Sequence, residues 1–410
     1  MNVLYLTWDG PQVTYLESLF LPIFDSLRGS GYRFHVLQFT WADDAKVGKI
    51  RAACARRSIP YEKVTIARRW GLAGLAGTIL RGSMRARAYA RANAVDVLMP
   101  RSTIPALVAL CARLPSQKLL FDADGLPIDE RVEFGSLRAG SPVHRVLRDI
   151  EAQAARAADT VLCRSCFGRS VILARAGAGC DPSRFFVVSN GRDEGLFRPQ
   201  GPEADAAVRQ RLGIASQAPL IVYCGSLGQQ YSIPQMMGFF AEVAVRRSDA
   251  RFLVLSGEPN TAATLRTYAG GLAERILVRR AEPDEVPSYL SASDLGVSFR
   301  DPSFSMKAIA PIKNGEYLLS GLPVIANVTT GDLLRDHDGG ATKVLNTLDR
   351  TSLSAGAEWF LGTVLQTRER LRASARELGL RHFGLRQAVE SYRLAFHGLS
   401  ETCPPAAEVR

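Results

Sequence analysis

The amino-acid sequence predicts an α/β protein built from two doubly wound, parallel-sheet domains that face a cleft. Strand-length apolar runs alternate with helix-length amphipathic segments, which is typical of a parallel sheet covered on both faces. This alternation stops once, at a linker rich in Pro and Ala at 198–207, and then starts again. We therefore expect an N-terminal domain at 1–200, a second domain at 201–382, and a helix and tail at 383–410.

Six strands are predicted in each domain, and the residues that follow them are candidates for a functional site. Ligands of doubly wound sheets bind beyond the carboxyl ends of the strands. A last helix is predicted at 383–398. The predicted strands are 2–8, 32–40, 96–100, 118–124, 160–165, 185–190, 220–226, 250–257, 275–281, 295–301, 323–327 and 343–347.

The composition indicates a globular protein of the cytoplasm. The chain has 410 residues, of which 47% are hydrophobic and 22% charged. No apolar run approaches the ~20 residues that a membrane-spanning helix needs. The first residues enter a strand without a charged leader region, so we expect no secretory signal. Seven scattered cysteines suit a reducing compartment.

Positive charge is concentrated in the first half of the chain. Residues 1–200 hold 28 Lys and Arg against 18 Asp and Glu, whereas 201–410 hold 23 against 22. The segment 68–91 is the most basic and contains Trp70. It is interpreted either as a solvated helix face or as a surface for anionic lipid headgroups, the second placing the protein on the inner face of the membrane. Nucleic acid is not an expected partner, because no basic and aromatic interleaving occurs.

The stretch APIKNGEYLLSGLPVIAN (310–327) predicts a helix with an anion site at its start. Pro311 suits the first helical position and Gly321 a helix stop. Lys313 would then lie beside the free N–H groups of the first turn, which attract phosphate. Glu316, one turn deeper, could accept hydrogen bonds from a ribose diol. The alternative is a Lys313–Glu316 ion pair worth about 0.2–0.5 kcal/mol.

Four segments of the sequence resemble those of GT-B nucleotide-sugar glycosyltransferases similar to the retaining family 4. They are P-x-K-x-x-E-Y-L-x-x-G-x-P-V-I (311–325), VVSNGRDEGLFRP (187–199), YCGSLG (223–228) and SYLSASDLGVSF (288–299). The resemblance implies the GT-B fold, sugar transfer from a nucleoside-diphosphate donor with retention of configuration, and a C-terminal helix that crosses back to the N-terminal domain.

The resemblance also implies roles for particular residues. Glu316 would hold the ribose of the donor. The loop residues Gly225, Ser226 and Leu227 would approach the diphosphate. Lys313 matches the lysine of the P-x-K motif and would stabilise the leaving diphosphate as negative charge builds on it.

The sequence departs from that family at two places. Ala308 stands where the first glutamate of the E-x7-E motif is expected. The two basic residues usual in the donor loop are also missing, because the run is GSLGQQYS (225–232). We therefore expect Lys313 to be joined by Lys307 and Arg300 as the cations around the diphosphate.

Strand ends of the N-terminal domain supply candidates for the acceptor side. The turn DADG (122–125) follows a buried strand, and Asp124, less so Asp122, could position the acceptor hydroxyl or act as its base. The alternative is that Asp and Gly only favour the turn. Asp9 follows the first strand, and Arg101 and Arg164 follow two others.

No cofactor or metal ion is expected. The sequence has no GxGxxG after a strand, no P-loop and no HExxH. The DAD of 122–124 lies in the acceptor-side domain and is therefore not interpreted as a metal site. Lys313 and its helix terminus can balance the diphosphate without metal.

The sequence thus predicts a peripheral membrane glycosyltransferase that moves a sugar from a nucleoside-diphosphate donor to a growing, lipid-linked glycan, as in cell-surface polysaccharide or glycolipid assembly. Two alternatives stay open. One is a UDP-sugar epimerase of the same architecture. The other is a non-catalytic glycosyltransferase-like partner protein. The missing glutamate of the E-x7-E motif and the missing basic residues of the donor loop favour this alternative.

Overall fold

The computed structural model describes residues 1–67, 71–328, 334 and 340–400 and divides into two compact units. One unit comprises Met1–Val188 together with the C-terminal helix from Ala388 onward, and the other comprises Ser189–Gln387. The division falls earlier in the chain than the expected boundary at 200. The chain returns to the first unit after residue 387.

The N-terminal unit contains a seven-stranded parallel sheet of order β3-β2-β1-β4-β5-β6-β7. Each of the six predicted strands is present, with slightly different ends. The seventh, β3, was not predicted because it lies at the sheet edge and has no fully buried residue to give it an apolar face. The strands are β1 Asn2–Asp9, β2 Arg33–Thr40, β3 Tyr61–Thr65, β4 Val97–Pro100, β5 Lys118–Asp122, β6 Thr160–Cys163 and β7 Phe185–Val187.

The C-terminal unit contains a six-stranded parallel sheet of order β10-β9-β8-β11-β12-β13. All six predicted strands occur, and a buried apolar cluster covers each face of this sheet. The strands are β8 Leu220–Cys224, β9 Arg251–Leu255, β10 Ile276–Arg279, β11 Leu295–Ser298, β12 Val324–Asn327 and β13 Thr342–Leu345.

Helices connect the strands of both sheets. In the first unit they are α1 Leu21–Leu27, α2 Asp44–Ala55, α3 Gly71–Ala92, α4 Thr103–Ala112, α5 Pro127–Glu133, α6 Pro142–Ala157 and α7 Cys166–Ala176. In the second they are α8 Pro202–Arg211, α9 Ile233–Arg246, α10 Thr261–Ala269, α11 Val286–Ser291, α12 Ile312–Leu319, α13 Arg350–Trp359 and α14 Arg368–His382, before the final helix α15 Leu385–Ser400. No helix in the described part of the chain combines the length and the apolar character that a membrane span requires.

The last helix packs on the sheet of the N-terminal unit through an aromatic contact. Phe396 of α15 lies with its ring centroid 4.7 Å from that of Tyr32 and 5.8 Å from that of Phe34, at the start of β2. Phe396 is fully buried. The apolar face of α15 therefore completes the core of the first unit although it is remote in sequence.

The strand order reverses at one point in each sheet. The reversal lies between β1 and β4 in the first unit and between β8 and β11 in the second. Ligands of doubly wound sheets bind at this switch point, outside the carboxyl ends of the strands. At the first switch point Asp9 ends β1 and Arg101 follows β4, and at the second Gly225 follows β8 and Arg300 follows β11.

Candidate functional site

Tyr317 fixes helix α12 against the sheet of the C-terminal unit. The backbone N–H of Cys224, at the end of β8, donates a hydrogen bond to the Tyr317 hydroxyl at 2.8 Å. The Tyr317 ring lies on Gly296 of β11, where an added Cβ would come within 2.4 Å of the ring. The absence of a side chain at Gly296 therefore lets α12 approach the switch point closely.

The ends of α12 differ in one detail from the sequence prediction. Pro311 is the N-cap and not the first helical residue, because its ψ of 117° is extended and the helix begins at Ile312. Gly321 follows the helix end with φ +72°, a left-handed conformation that favours glycine. Lys313 is thus the second residue of the helix, as close to the free N–H groups as predicted.

Lys313 is a buried cation without a hydrogen-bond partner among the described residues. The residue is 8% exposed, and its Nζ lies 3.9 Å from the Tyr223 ring centroid and 4.7 Å from that of Tyr231. An added Cβ at Gly225 would lie 3.0 Å from Nζ, so glycine there leaves room for the amine beside the loop. Burial, and then the charge of Arg300, hold the pKa of Lys313 well below its usual range.

Arg300 is the second cation near this site. Its guanidinium carbon lies 4.3 Å from the Tyr231 ring centroid, on the same ring that Lys313 contacts. Its backbone N–H donates to the Asn327 side-chain oxygen at 3.0 Å, and the Asn327 amide donates to the Arg300 carbonyl at 2.8 Å. The structure thus brings Arg300 and Lys313 together. Lys307, the other expected cation, is exposed on a 3₁₀ turn at Ser305–Ala308.

Glu316 pairs with Arg192 and not with Lys313. The Arg192 guanidinium lies 2.9 Å from Glu316 Oε1, and both side chains are mostly buried. The Arg192 guanidinium carbon also lies 4.9 Å from the Phe197 ring centroid, and the backbone N–H of Arg192 donates to the Phe383 carbonyl at 2.8 Å. The intrahelical ion pair considered as the alternative is therefore not formed. Arg192 was missed as a site residue, although it lies in the hinge-like segment 187–199.

The loop after β8 is held by side-chain hydrogen bonds. The backbone N–H of Leu227 donates to a carboxylate oxygen of Glu258 at 3.0 Å, and the Tyr223 hydroxyl donates to the Ser226 carbonyl. Gly225 takes φ +141° and donates its N–H to the Leu255 carbonyl at 2.9 Å. A carboxylate therefore already binds one N–H group of the loop expected to face a diphosphate. No motif or spacing in the sequence indicates a role for Glu258.

In the N-terminal unit, the predicted acceptor-side residues form one ion-pair cluster. Arg101 lies 2.5 Å from Asp124 Oδ2 and 3.8 Å from Asp9 Oδ1. Arg164 lies 2.5 Å from Asp122 Oδ2 and 3.7 Å from Asp124 Oδ1. Each Asp124 oxygen thus faces a guanidinium, an arrangement better suited to positioning a hydroxyl than to removing its proton.

Members of this cluster differ in their access to a ligand. The side chains of Asp122 and Arg164 are 0% and 3% exposed, and Arg164 also donates to the Tyr392 hydroxyl of α15 at 2.9 Å. Burial raises the pKa of Asp122, although Arg164 opposes this. Asp124 is more accessible, with 29% of its side chain exposed. Asp9 is buried and accepts hydrogen bonds from Thr7 and Gln38, each at 2.9 Å.

Backbone strain marks the same strand ends. Asp124 has φ +54° and Ser102, directly after Arg101, has φ +69°. A left-handed conformation in a residue other than glycine is uncommon and costs about 1–3 kcal/mol. Two such residues after adjacent strands β4 and β5 aim the Asp124 carboxylate at Arg101. Strain of this kind is concentrated at functional sites.

Replacing Lys313 with Met is expected to stabilise the protein. A buried amine without a partner costs about 1–3 kcal/mol, and Met removes it at similar volume. The folded pKa lies below the ordinary 10.5, so the unfolded chain binds more protons between these values and wild-type stability rises with pH there. The gain from Lys313→Met should therefore shrink as the pH approaches 10.5.

Calorimetric unfolding midpoints at several pH values measure this effect. Lys343→Met, on the partly exposed strand β13, is the matched control and should change the midpoint little. A midpoint lowered by Lys313→Met at neutral pH would show that the lysine is a net stabilising element of the fold.

Comparison with known sequences gives partial matches to glycosyltransferases. No protein-family profile matches the chain. The D-inositol 3-phosphate glycosyltransferase of Corynebacterium efficiens is 31% identical over 173 residues, which is 38% of this chain and 41% of that protein. The alpha-maltose-1-phosphate synthase of Mycolicibacterium smegmatis is 29% identical over 112 residues, 27% of this chain and 28% of that protein. The chain thus spans less than half the length of these curated relatives.

Comparison with solved structures covers nearly the whole chain. A glycosyltransferase from Rickettsia africae matches with a TM-score of 0.72 at 14% identity, over 98% of this chain and 100% of that one. Anabaena HepE in complex with UDP-glucose matches with a TM-score of 0.71 at 18% identity, over 98% and 99%. A putative UDP-N-acetylglucosamine 2-epimerase from Listeria monocytogenes matches with a lower TM-score of 0.61 at 16% identity, over 100% of both chains.

These findings confirm the resemblance to GT-B glycosyltransferases, while the narrower likeness to family 4 stays a prediction. Structural neighbours at such low sequence identity indicate the fold alone. The two doubly wound parallel sheets of this chain are consistent with that fold. The chain therefore has the GT-B fold of the nucleotide-sugar glycosyltransferases.

Proposed function

We propose that this protein is a glycosyltransferase that takes a sugar from a nucleoside-diphosphate donor. The observation that carries the proposal is the buried amine of Lys313 at the start of α12, beside Gly225, which has no hydrogen-bond partner in the part of the chain that the structure describes. Such a buried cation lowers the free energy of unfolding, and a bound diphosphate would compensate its charge. The sequence relatives named as a glycosyltransferase and a synthase, and the UDP-glucose bound to HepE, support this class of donor.

Different side chains of the C-terminal unit would bind different parts of the donor. Lys313, with the N–H groups at the start of α12, would stabilise the diphosphate as it leaves with increasing negative charge. Glu316 keeps one carboxylate oxygen on Arg192 and would accept from the ribose hydroxyls with the other. Lys313 and Arg300 balance the diphosphate in this scheme, so transfer proceeds without a metal ion.

The acceptor side is assigned to the N-terminal unit. Asp124 is the most exposed carboxylate of the Asp9–Arg101–Asp124 group, and it would orient the acceptor hydroxyl while Arg101 holds it in place. Asp9 faces the Arg101 guanidinium and the buried Arg164 faces Asp124, so these two residues hold the pair in place. The proposed acceptor is a growing, lipid-linked glycan, and retention of configuration follows from the family 4 likeness.

The two alternative functions make different demands on the same residues. A UDP-sugar epimerase would turn over the donor without an acceptor, and epimerases do occur among the structural neighbours at lower TM-scores. A non-catalytic partner protein would have no use for a buried cation beside a glycine loop. The geometry around Lys313 therefore favours an enzyme, and the glycosyltransferase relatives favour transfer.

Titration calorimetry with UDP, GDP and ADP tests donor binding and identifies the base. We expect one of them to bind, and Glu316→Ala to weaken it by about 1–3 kcal/mol through lost charged hydrogen bonds to the ribose. Glu258→Ala, in the neighbouring loop, is the comparison for a carboxylate not assigned to the ribose. The absence of binding by all three nucleotides would favour the partner protein, and unchanged affinity of Glu316→Ala would remove the ribose assignment.

Turnover separates the role of Lys313 from simple binding. Lys313→Ala should lower kcat by roughly 10²–10³, as the loss of an oxyanion-stabilising donor does. The rate with wild type should be the same after EDTA treatment. Normal turnover of Lys313→Ala, or a strict need for a divalent metal, would contradict the proposed chemistry.

Helix α3 supplies the surface for membrane association in this proposal. Arg81, Arg85 and Arg91 are exposed along it, and the neighbouring Leu80 and Met84 are 64% and 65% exposed. Arg85 is partly neutralised by Glu62. Basic side chains that flank exposed apolar ones are typical of helices that lie on anionic bilayers. Trp70, expected at the interface, lies outside the described residues.

Co-sedimentation with vesicles that contain anionic lipid tests this surface. Each basic residue near such a membrane gains about 1 kcal/mol, and salt screens the attraction. We expect wild type to bind at low salt and to dissociate at high salt. The variant with Arg81, Arg85, Arg87 and Arg91 changed to Gln should bind weakly.

A charge-matched control uses exposed arginines of the other unit. The variant with Arg211, Arg266, Arg350 and Arg370 changed to Gln has the same net charge and should bind like wild type. Equal losses in the two variants would show that net charge and not α3 attracts the protein. Binding that ignores salt would point to Leu80 and Met84 as the main contacts.

A further inference from the structure

Two large aromatic side chains are exposed at the carboxyl ends of β1 and β2 in the N-terminal unit. Tyr15, in the segment after β1, is 43% exposed, and Trp41, directly after β2, is 37% exposed. A single exposed ring is ordinary on a protein surface. The contacts of these two rings therefore decide whether they belong to a binding surface.

Tyr15 is joined to the acceptor-side cluster of Asp9, Arg101 and Asp124 through the arginine. The Arg101 guanidinium carbon lies 5.2 Å from the Tyr15 ring centroid, and the same guanidinium pairs with Asp124 Oδ2 at 2.5 Å. One guanidinium group thus separates the ring from the carboxylate assigned to the acceptor hydroxyl. That separation is comparable to the size of one sugar ring.

Trp41 is placed beside the same cluster by Gly10, the residue after Asp9. Asp9 is paired with Thr40 in the register of β1 and β2, so Gly10 and Trp41 leave the sheet side by side. An added Cβ at Gly10 would lie 3.0 Å from the indole of Trp41. Glycine at this position therefore lets the indole lie against the end of β1, next to the carboxylate that faces Arg101.

The charges of the cluster favour a neutral ligand. Three carboxyl groups, those of Asp9, Asp122 and Asp124, face two guanidinium groups, so these described residues hold no excess of positive charge for an anion. Sugar hydroxyls can donate to the partly exposed carboxylate of Asp124. The C–H groups on the face of a sugar ring carry a small positive charge, which the negative face of an aromatic ring attracts.

We propose that Tyr15 and Trp41 are acceptor-binding residues, whose rings stack on two successive sugar units of a neutral oligosaccharide. Tyr15 holds the sugar whose hydroxyl Asp124 orients, and Trp41 holds the sugar next to it. The inference rests on the proposed function and narrows its acceptor. The end of the glycan that enters the site has at least two uncharged sugar units, in contrast to a single sugar or a phosphorylated polyol.

A glycan array tests the two aromatic residues. It presents neutral mono-, di- and tetrasaccharides of the common hexoses and N-acetylhexosamines, with hexose phosphates and inositol phosphate as the anionic comparison. We expect wild type to bind a neutral disaccharide or tetrasaccharide about tenfold more tightly than the corresponding monosaccharide. Tyr15→Leu and Trp41→Leu should each weaken that binding by about tenfold, because each change removes one stacking face.

Conservative and matched variants control for general damage. Tyr15→Phe and Trp41→Phe retain an aromatic face and should bind the oligosaccharide nearly as wild type does. Tyr268→Leu removes a similarly exposed tyrosine from the C-terminal unit and should leave glycan binding unchanged. Thermal unfolding midpoints identify a variant that loses binding through unfolding, and the variants of the other aromatic residue carry the test in that case.

The nucleotide titrations separate this inference from the proposed function. If wild type binds none of the nucleoside diphosphates, the proposed function is wrong and the inference with it. If wild type binds one of them but no glycan of the array, or if both Leu variants keep full glycan affinity, only the inference is overturned. Preference for monosaccharides or for the phosphorylated compounds would also overturn it. So would a loss of vesicle binding by Trp41→Leu at unchanged glycan affinity, which would assign the indole to the membrane.

Discussion

The buried charge of Lys313 is the constraint around which the C-terminal unit is arranged. The amine can approach the loop only because Gly225 has no side chain, and the helix can approach the sheet only because Gly296 has none. Tyr317 then ties the helix to the end of β8. A cation buried without a hydrogen bond is costly, so these adaptations preserve an unfavourable feature that an anionic ligand would turn into a favourable one.

The charged side chains at the switch points of the two units are arranged differently. In the N-terminal unit, the three carboxyl groups of Asp9, Asp122 and Asp124 face two arginines within one cluster. In the C-terminal unit, Glu316 pairs with Arg192, and the buried amine of Lys313 has no hydrogen-bond partner among the described residues. Under the proposed function, the first arrangement would orient an acceptor hydroxyl and the second would bind the diphosphate of the donor.

Aromatic rings hold several of these cations in place. Lys313 lies on Tyr223 and Tyr231, Arg192 on Phe197, and Arg101 between Tyr15 and Phe20 at 5.2 and 5.1 Å. A ring face attracts a cation but does not cancel its charge. Stacking therefore orients all three side chains, although Arg192 and Arg101 also pair with the carboxylates of Glu316 and Asp124.

The sequence by itself determined the elements and the local chemistry of α12. Apolar runs and turn residues located twelve of the described strands, and the spacing of Lys313 and Glu316 on one helix face follows from the helical repeat. Both signals are local. The edge strand β3 was not predicted, because none of its residues is fully buried and the strand therefore has no continuous apolar face. Only the tertiary structure decided that Arg192 pairs with Glu316, that Asp124 meets two guanidiniums, and that Arg300 shares a ring with Lys313. These contacts depend on strand order and loop packing, which no periodicity along the chain encodes.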